Sequence, residues 1–159
     1  MRRIVIGPPA AGKSTYVAEH RQPHEPVIDF DSLAVALGSD DSHDHIRAIT
    51  NVAKAAWDAA MEFVTGRPED RIAWAIWATP PRFALLDWDV ECHVVDPGFD
   101  VVVARCRESR PDRALRAVDR WYSERDDLIA AADARGILVE APAQATNGRK
   151  VHVPGDVAW

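Results

Sequence analysis

One short stretch near the start of the chain, IGPPAAGKST, constrains the fold more than any other part of the sequence. A glycine, four arbitrary residues and then Gly-Lys-Ser fit the phosphate-binding loop pattern, which Gly7, Gly12, Lys13 and Ser14 fill completely. The glycines allow backbone angles that a side chain would forbid, so that successive N–H groups can turn towards phosphate oxygens. Such a loop needs a strand before it and a helix after it, because the positive end of the helix must face the phosphates.

The residues on either side of the loop meet this requirement. RRIVI, residues 2–6, reads as a short buried strand, and STYVAEH after the loop reads as the start of a helix. The alternative is a tight turn that only joins a strand to a helix, and the complete pattern in this context makes it the weaker interpretation.

We therefore expect the loop to contact a nucleotide along its whole length. The Lys13 ammonium supplies a charge for the β- and γ-phosphates, and the Ser14 hydroxyl ligates Mg²⁺. The expected cofactors are ATP, or another nucleoside triphosphate, and Mg²⁺. The predicted nucleotide contacts are Gly7, Pro8, Pro9, Ala10, Ala11, Gly12, Lys13, Ser14 and Thr15.

The composition is that of an ordinary globular protein. The 159 residues fit a single domain, and 47% of them are hydrophobic and 28% charged. The formal net charge of −6 argues against nonspecific nucleic-acid binding by a broadly basic surface. No apolar run approaches the ~20 residues of a membrane span, and the apolar stretch behind Met-Arg-Arg is too short for an export signal. We expect a cytoplasmic protein without a membrane partner, in which Cys92 and Cys106 are buried core thiols.

Strand and helix patterns alternate along the chain, which predicts an α/β fold with a parallel sheet. Together with the loop this indicates a P-loop three-layer sandwich: about five strands, helices on both faces, and RKVHV near the C-terminus as an extra edge strand. Ligands of such sheets bind beyond the carboxyl ends of the strands. The predicted strands after the first are 26–30, 72–78, 90–95 and 137–140, and the predicted helices after the loop helix are 31–37, 45–64, a short one in PPRFALL, 99–107 and 112–135.

Several nucleotide-using classes lack their signatures here. The candidate strand AWAIWATPP ends in threonine and proline instead of the acidic residue of a motor or ring ATPase. No Asn-Lys-x-Asp element is present to read guanine, and the chain has no room for the helical lid of a ring ATPase. These features favour a small phosphotransferase.

Gly7–Ser14 followed by VIDFDSL, residues 27–33, resembles the small P-loop kinases that include polynucleotide 5′-hydroxyl kinases, zeta-toxin kinases and chloramphenicol phosphotransferase. The resemblance covers residues 1 to about 125 and implies that Asp31 accepts the proton of the acceptor hydroxyl. Chemistry supports this role, since a carboxylate opposite the γ-phosphate can orient a hydroxyl for in-line attack. The structural alternative, which is compatible, is that Asp31 caps its helix.

A second match, VVDPGFDVVVARCRESRP (94–111), is similar to the strand, helix and arginine-bearing lid of the polynucleotide kinases. It implies a lid at about residues 105–113, in which Arg105 and Arg110 clamp the donor phosphates. Arg110 is the candidate charge stabiliser at the γ-phosphate. The spacing is one residue longer than in those kinases, so Arg107 is a rival.

The chain departs from the polynucleotide kinases on the acceptor side. Ala34 stands where they carry an arginine for the acceptor phosphate, so Arg47 or Arg82 would have to substitute. We expect Asp29, Asp31, Arg47 and Arg82 to contact the acceptor, and favour a polynucleotide or nucleotide hydroxyl. The alternatives are a kinase of a small metabolite, antibiotic or nucleotide-sugar, and a non-catalytic module that binds nucleotide.

Three further features have competing interpretations. Arg113, Arg116 and Arg120 share one helical face, as solvated ion pairs or as nucleic-acid contacts. The histidines of Ser42-His43-Asp44-His45 fit a solvated loop better than a metal site. Trp57, Trp74 and Trp77 are predicted to pack in the core, whereas Trp88, Trp121 and Trp159 are open to base stacking.

Overall fold

The computed structural model describes residues 2–65, 73–78 and 90–140. Within these ranges five parallel strands form one sheet in the order β2-β3-β1-β4-β5. This confirms the predicted α/β class and the five-stranded parallel sheet. The strands are β1 (Arg2–Ile6), β2 (Val27–Ile28), β3 (Ala73–Trp77), β4 (Glu91–Val94) and β5 (Leu138–Glu140).

Helices pack on both faces of the sheet. The helices of the described ranges are α1 (Lys13–His20), α2 (Phe30–Ala36), α3 (Arg47–Thr65), α4 (Phe99–Ser109) and α5 (Arg113–Ala134). On one face Val5 of β1 packs with Val17 of α1. On the other face Ile4 packs with Trp121 of α5, and α3 covers β3 through Trp57. The alternation of side chains along parallel strands produces this layered sandwich.

The core contains the residues that the sequence assigns to it. Trp57 and Trp74 are buried and Trp77 is partly buried, which confirms that prediction. Trp121 is also fully buried, so core packing is its role. Both cysteines are buried, as expected; burial raises the pKa of the Cys92 thiol to about 12 and also raises that of Cys106.

The structure corrects the start of α2. The chain leaves the strand after Ile28, and Phe30, predicted to end that strand, already lies in the helix. Asp29 occupies the N-cap position, and its carbonyl accepts the Leu33 N–H at 3.0 Å. Asp31 therefore lies in the first turn of α2, and the prediction that it caps the helix is wrong.

The predicted break near residue 110 is confirmed. Helix α4 continues two residues beyond Arg107 to Ser109, and Arg110 adopts an extended backbone in front of Pro111. Proline disfavours the helical conformation of the residue before it, which explains where the helix ends. The other element ends agree with prediction to within two residues. The helix in PPRFALL, the RKVHV strand, Arg82, Trp88 and Trp159 lie outside the described residues.

None of the helices in the described part of the chain combines the length and the apolar character that crossing a membrane requires.

Candidate active site

The glycine-rich loop leaves the centre of the sheet at the carboxyl end of β1. The Gly7 N–H donates to the Ala78 carbonyl at 3.2 Å, and the Val95 N–H donates to the Ile6 carbonyl at 2.9 Å. A Cβ atom on Gly7 would lie 2.1 Å from the Val95 carbonyl oxygen, so only glycine fits at this position. Strand pairing and this close approach fix the point at which the loop begins.

Two left-handed backbone positions shape the rest of the loop. Ala10 has a φ of 58° and Gly12 a φ of 98°, and Gly12 is the N-cap of α1. Left-handed residues among right-handed ones create a concave run of N–H groups suited to an anion. Helix α4 holds the loop from outside, because Arg105 donates to the Ala10 carbonyl at 3.4 Å and the Cys106 thiol donates to the Pro9 carbonyl at 3.7 Å.

Lys13 is held inside the loop by the loop's own carbonyl groups. Its Nζ atom donates to Gly7 O at 2.9 Å and to Pro8 O at 2.7 Å. Burial, and secondly the nearby Arg110 guanidinium, lower the pKa of Lys13 to about 8. An anion placed at the loop would oppose both effects and raise the pKa of Lys13 back towards its usual value.

Asp31 is the centre of a second cluster. Its Oδ2 atom lies 2.9 Å from Nδ1 of His43 and 3.4 Å from Nη1 of Arg110. Its Oδ1 atom lies 3.2 Å from Nε2 of His45. The structure therefore brings together a predicted proton acceptor, a predicted lid arginine and two histidines.

The solvated-loop interpretation is wrong for His45, whose side chain is only 5% exposed. The His-x-His pattern is visible in the sequence, but Asp31, which both histidines contact, lies 12 and 14 residues before them. The pairing could not be read from the spacing.

Both ring nitrogens of His45 have hydrogen-bond partners. The Ser39 hydroxyl donates to the Asp41 carbonyl at 2.9 Å, so Oγ is left to accept from Nδ1 of His45 at 2.8 Å. His45 is therefore held between Ser39 at one ring nitrogen and Asp31 at the other.

The loop that carries the histidines is anchored at two points. The Asp41 carboxylate accepts the backbone N–H groups of His43 at 2.6 Å and Asp44 at 2.9 Å, which lowers the pKa of Asp41. Arg113 of α5 pairs with Asp44 and donates to the His43 carbonyl at 3.4 Å. These contacts give Arg113 a structural partner, and Arg120 likewise pairs with Glu124. For Arg113 and Arg120 the ion-pair interpretation is the one that the contacts favour.

A cavity of about 1140 Å³ joins the loop to the Asp31 cluster. Of the predicted contacts, the loop residues from Pro9 to Thr15, Asp29, Asp31, Arg105 and Arg110 line it. Arg47 is exposed and does not line it, and neither does the rival Arg107. The remaining wall comes from Phe30 and His43, from Ile76, Trp77 and Ala78 around the end of β3, from Lys54, Trp57, Asp58, Met61 and Glu62 of α3, and from Glu108 and Ser109 of α4.

Oxygen donors line the cavity beside the glycine-rich loop. No group of three or more His, Cys, Asp or Glu side chains within the described ranges is arranged to hold a metal. Ser14 has an exposed side chain at the first turn of α1, and the Asp29 and Asp31 carboxylates line the same cavity. These hard oxygen donors suit Mg²⁺, which keeps several ligands from phosphate and water.

Comparison with known proteins adds no assignment: the chain matches no protein-family model, and a search of curated protein sequences finds no significant match.

Proposed function

We propose that this protein is an ATP- and Mg²⁺-dependent phosphotransferase that moves the γ-phosphate to a hydroxyl group. The observation that carries the proposal is the meeting of Lys13, Asp31 and Arg110 on one cavity beside the glycine-rich loop. Each has a defined task in phosphoryl transfer, where positioning and charge stabilisation supply most of the catalysis.

The donor is bound by the loop and the lid. In the proposed complex the Lys13 ammonium exchanges the Gly7 and Pro8 carbonyl oxygens for β- and γ-phosphate oxygens. Arg105 already contacts the loop at Ala10, so it can close over the phosphates without rearrangement of the backbone. Ser14 would hold Mg²⁺, which neutralises charge on the β- and γ-phosphate oxygens.

The acceptor hydroxyl binds to Asp31. It donates its hydrogen bond to the carboxylate, and its oxygen attacks the γ-phosphorus as the bond to the β-phosphate bridging oxygen breaks. The proton passes to Asp31, and ADP leaves. His45 acts as a positioning residue, because its imidazole holds Oδ1 while Oδ2 is free to exchange His43 or Arg110 for the hydroxyl.

Arg110 links the two halves of the site. In the structure its guanidinium lies 3.4 Å from Asp31, close to both the donor and the acceptor regions. When triphosphate binds, the guanidinium moves from the carboxylate to the γ-phosphate and stabilises charge that develops during transfer. Donor binding therefore releases Asp31 for the acceptor.

The test is transfer of label from γ-labelled ATP to 5′-hydroxyl oligonucleotides, nucleotides and small alcohols. The wild type should label at least one acceptor in the presence of Mg²⁺, and Asp31→Asn should lose turnover while it still binds ATP. Turnover unchanged in Asp31→Asn would disprove its role. Nucleotide binding without transfer to any acceptor would favour a non-catalytic binding module, and absence of nucleotide binding by folded protein would refute the proposal.

A further inference from the structure

The cavity extends well beyond the phosphate loop. Its volume of about 1140 Å³ exceeds the roughly 300–1,000 Å³ of a usual small-molecule pocket. One part of its wall is formed by α3 and the end of β3. We call this surface the acceptor wall; it comprises Lys54, Trp57, Asp58, Met61, Glu62 and Trp77.

The base of the acceptor wall is apolar and aromatic. Trp57 and Met61 are 7% and 5% exposed. The Trp57 and Trp77 rings meet edge to face, with centroids 4.7 Å apart. Aromatic pairs of this kind are rigid and offer a large apolar contact surface. Such a wall suits a ligand with a ring-sized apolar body.

One polar atom in this wall lacks a partner. In the described part of the chain, the indole Nε1 of Trp57 is buried and makes no hydrogen bond. Buried indole N–H groups usually find an acceptor, and leaving one unpaired is unfavourable. A ligand acceptor could satisfy this N–H only after the indole turns towards the cavity that Trp57 lines.

The charged groups of the acceptor wall disfavour an anion. Lys54 donates to both carboxylate oxygens of Asp58 and lies 5.6 Å from the centroid of the Trp57 ring, so its charge is already compensated. Glu62 stands in the same wall, and the Asp29 and Asp31 carboxylates line the cavity beside it. Among the described residues the acceptor wall presents no arginine, and the position of Ala34 is buried.

We infer that the acceptor is a small, non-anionic alcohol with a ring-sized apolar body, bound on the acceptor wall with its hydroxyl at Asp31. The inference rests on the proposed function and departs from the polynucleotide acceptor that the sequence favours. A nucleic-acid strand would bring several phosphates to the acceptor wall, where Lys54 is already paired with Asp58 and Glu62 adds a further carboxylate. Like-charge contacts disfavour such a partner.

The test compares binding of matched alcohols, observed by ligand-detected NMR with Mg²⁺ and a non-transferable ATP analogue present. Each set holds one ring-bearing alcohol in uncharged, amine-substituted and anionic form. A separate comparison uses nucleosides, their 3′-monophosphates and a 5′-hydroxyl oligonucleotide. We expect uncharged or amine forms to bind at least about tenfold more tightly than their anionic counterparts.

Two variants connect the preference to the wall. Glu62→Arg should narrow the ratio of uncharged to anionic affinity about twofold to fivefold, the size expected for an exposed charge. Glu19→Arg makes the same charge change at an exposed position of α1 outside the cavity and should leave the ratio unchanged. Trp57→Phe removes part of the aromatic ring together with the N–H, so it should weaken acceptor binding severalfold and also lower the melting temperature.

Three results would overturn the inference: tighter or equal binding of the anionic members, no binding by any member, or equal effects of the Glu62 and Glu19 variants. Calorimetry of Mg²⁺–ATP binding in the same samples separates this failure from that of the proposed function. If the protein binds nucleotide but the acceptor results contradict the inference, only the proposed acceptor class is refuted. If the folded protein binds no nucleotide, the proposed phosphotransferase activity is refuted as well.

Discussion

The Nε2 atom of His45 lies 3.2 Å from Oδ1 of Asp31, while its Nδ1 atom lies 2.8 Å from the Ser39 hydroxyl. The imidazole is almost completely buried, whereas the carboxylate is 36% exposed to the cavity. A buried partner restricts the rotation of an exposed carboxylate. The geometry of Asp31 therefore depends on a residue that lines no part of the cavity.

We predict that His45→Ala lowers kcat for phosphoryl transfer roughly tenfold to hundredfold and leaves KM for ATP within about twofold. Misplacement of a reacting group by about 1 Å has effects of this size. His45→Gln, whose amide can still donate to Asp31, should recover part of the loss. Steady-state kinetics on folded variants make the comparison, and His20→Ala on the exposed end of α1 is the control. Equal losses in the alanine and glutamine variants would contradict a positioning role.

We predict that the protein takes up protons when it binds nucleotide near pH 8, and that Lys13 is the group that accepts them. The pKa of free Lys13 is about 8, and bound phosphates raise it towards its usual value of 10.5. Binding should therefore take up about half a proton at pH 8 and more at pH 9, and affinity should fall as pH rises through 8. Calorimetry in buffers of different ionisation enthalpy measures the uptake. Lys13→Arg keeps a permanent charge, so its uptake should vanish; uptake that persists would assign the proton to another group.

The lowered pKa of Lys13 also makes the free energy of unfolding depend on pH, but this free energy rises with pH where nucleotide affinity falls. Between pH 8 and 10.5 the unfolded Lys13 binds more protons than the folded one, so its contribution to the free energy of unfolding increases as pH rises through that window. Below pH 8 both states are protonated, and the folded protein carries the full cost of the buried charge. Chemical denaturation of the wild type and Lys13→Met should show this difference in slope.

The sheet and the loop could be predicted because both are encoded locally. Short strands rich in apolar residues, such as AWAIW in β3, and the Gly-x₄-Gly-Lys-Ser spacing carry their conformation in adjacent residues. The start of α2 was misplaced because Asp29 and Asp31 are equally good caps by residue type, and only the end of pairing after Ile28 decides between them.

The surroundings of Asp31 depend on distant contacts. His43 and His45 reach it from an irregular segment that Arg113 of α5 holds in place, nearly 70 residues further on. No periodicity records such a contact. The sequence could not predict that Arg47 is exposed either, because a residue at the start of a helix can face either the cavity or solvent.

Gly7 predicts a steric effect on stability. Gly7→Ala places a Cβ atom 2.1 Å from the Val95 carbonyl oxygen and should lower the free energy of unfolding by about 3 kcal/mol or more. Gly38→Ala is the matched control, because Gly38 has a φ of 96° but nothing within 4 Å of the added atom. It should lose only the roughly 1–2 kcal/mol of a left-handed side chain. Equal losses in urea denaturation would show that backbone strain, not the contact with β4, explains the glycine.

Ala10 predicts a change in the other direction. A non-glycine residue at a φ of 58° is strained, and Ala10→Gly relieves that strain. The greater conformational freedom of glycine in the unfolded chain acts against this gain. The free energy of unfolding should therefore rise by between zero and about 1 kcal/mol. Urea denaturation measures the difference. A loss above about 1 kcal/mol would show that the methyl group contributes more through packing against α4 than the strain costs.

Among substitutions away from the candidate site, we expect that of Asp96 to lower the free energy of unfolding most. It follows β4, where a ligand contact is plausible by position, but its carboxylate is fully buried and anchors α5. Trp121 and Arg125 each donate to it at 3.1 Å and Tyr122 at 2.5 Å; burial and this hydrogen bond raise the pKa of Tyr122. Asp96→Ala leaves these donors unpaired and should lower the free energy of unfolding by about 3–5 kcal/mol.

The control for Asp96 uses the same partner. Asp126 pairs with Arg125 as well, at 3.1 Å, but its side chain is 88% exposed. Asp126→Ala should therefore change stability by less than about 1 kcal/mol. Thermal denaturation of both variants, with nucleotide binding measured on the folded fraction, separates packing from function. A stable Asp96→Ala protein that no longer binds nucleotide would place Asp96 in the site instead of the scaffold, because a structural anchor must affect folding before it affects binding.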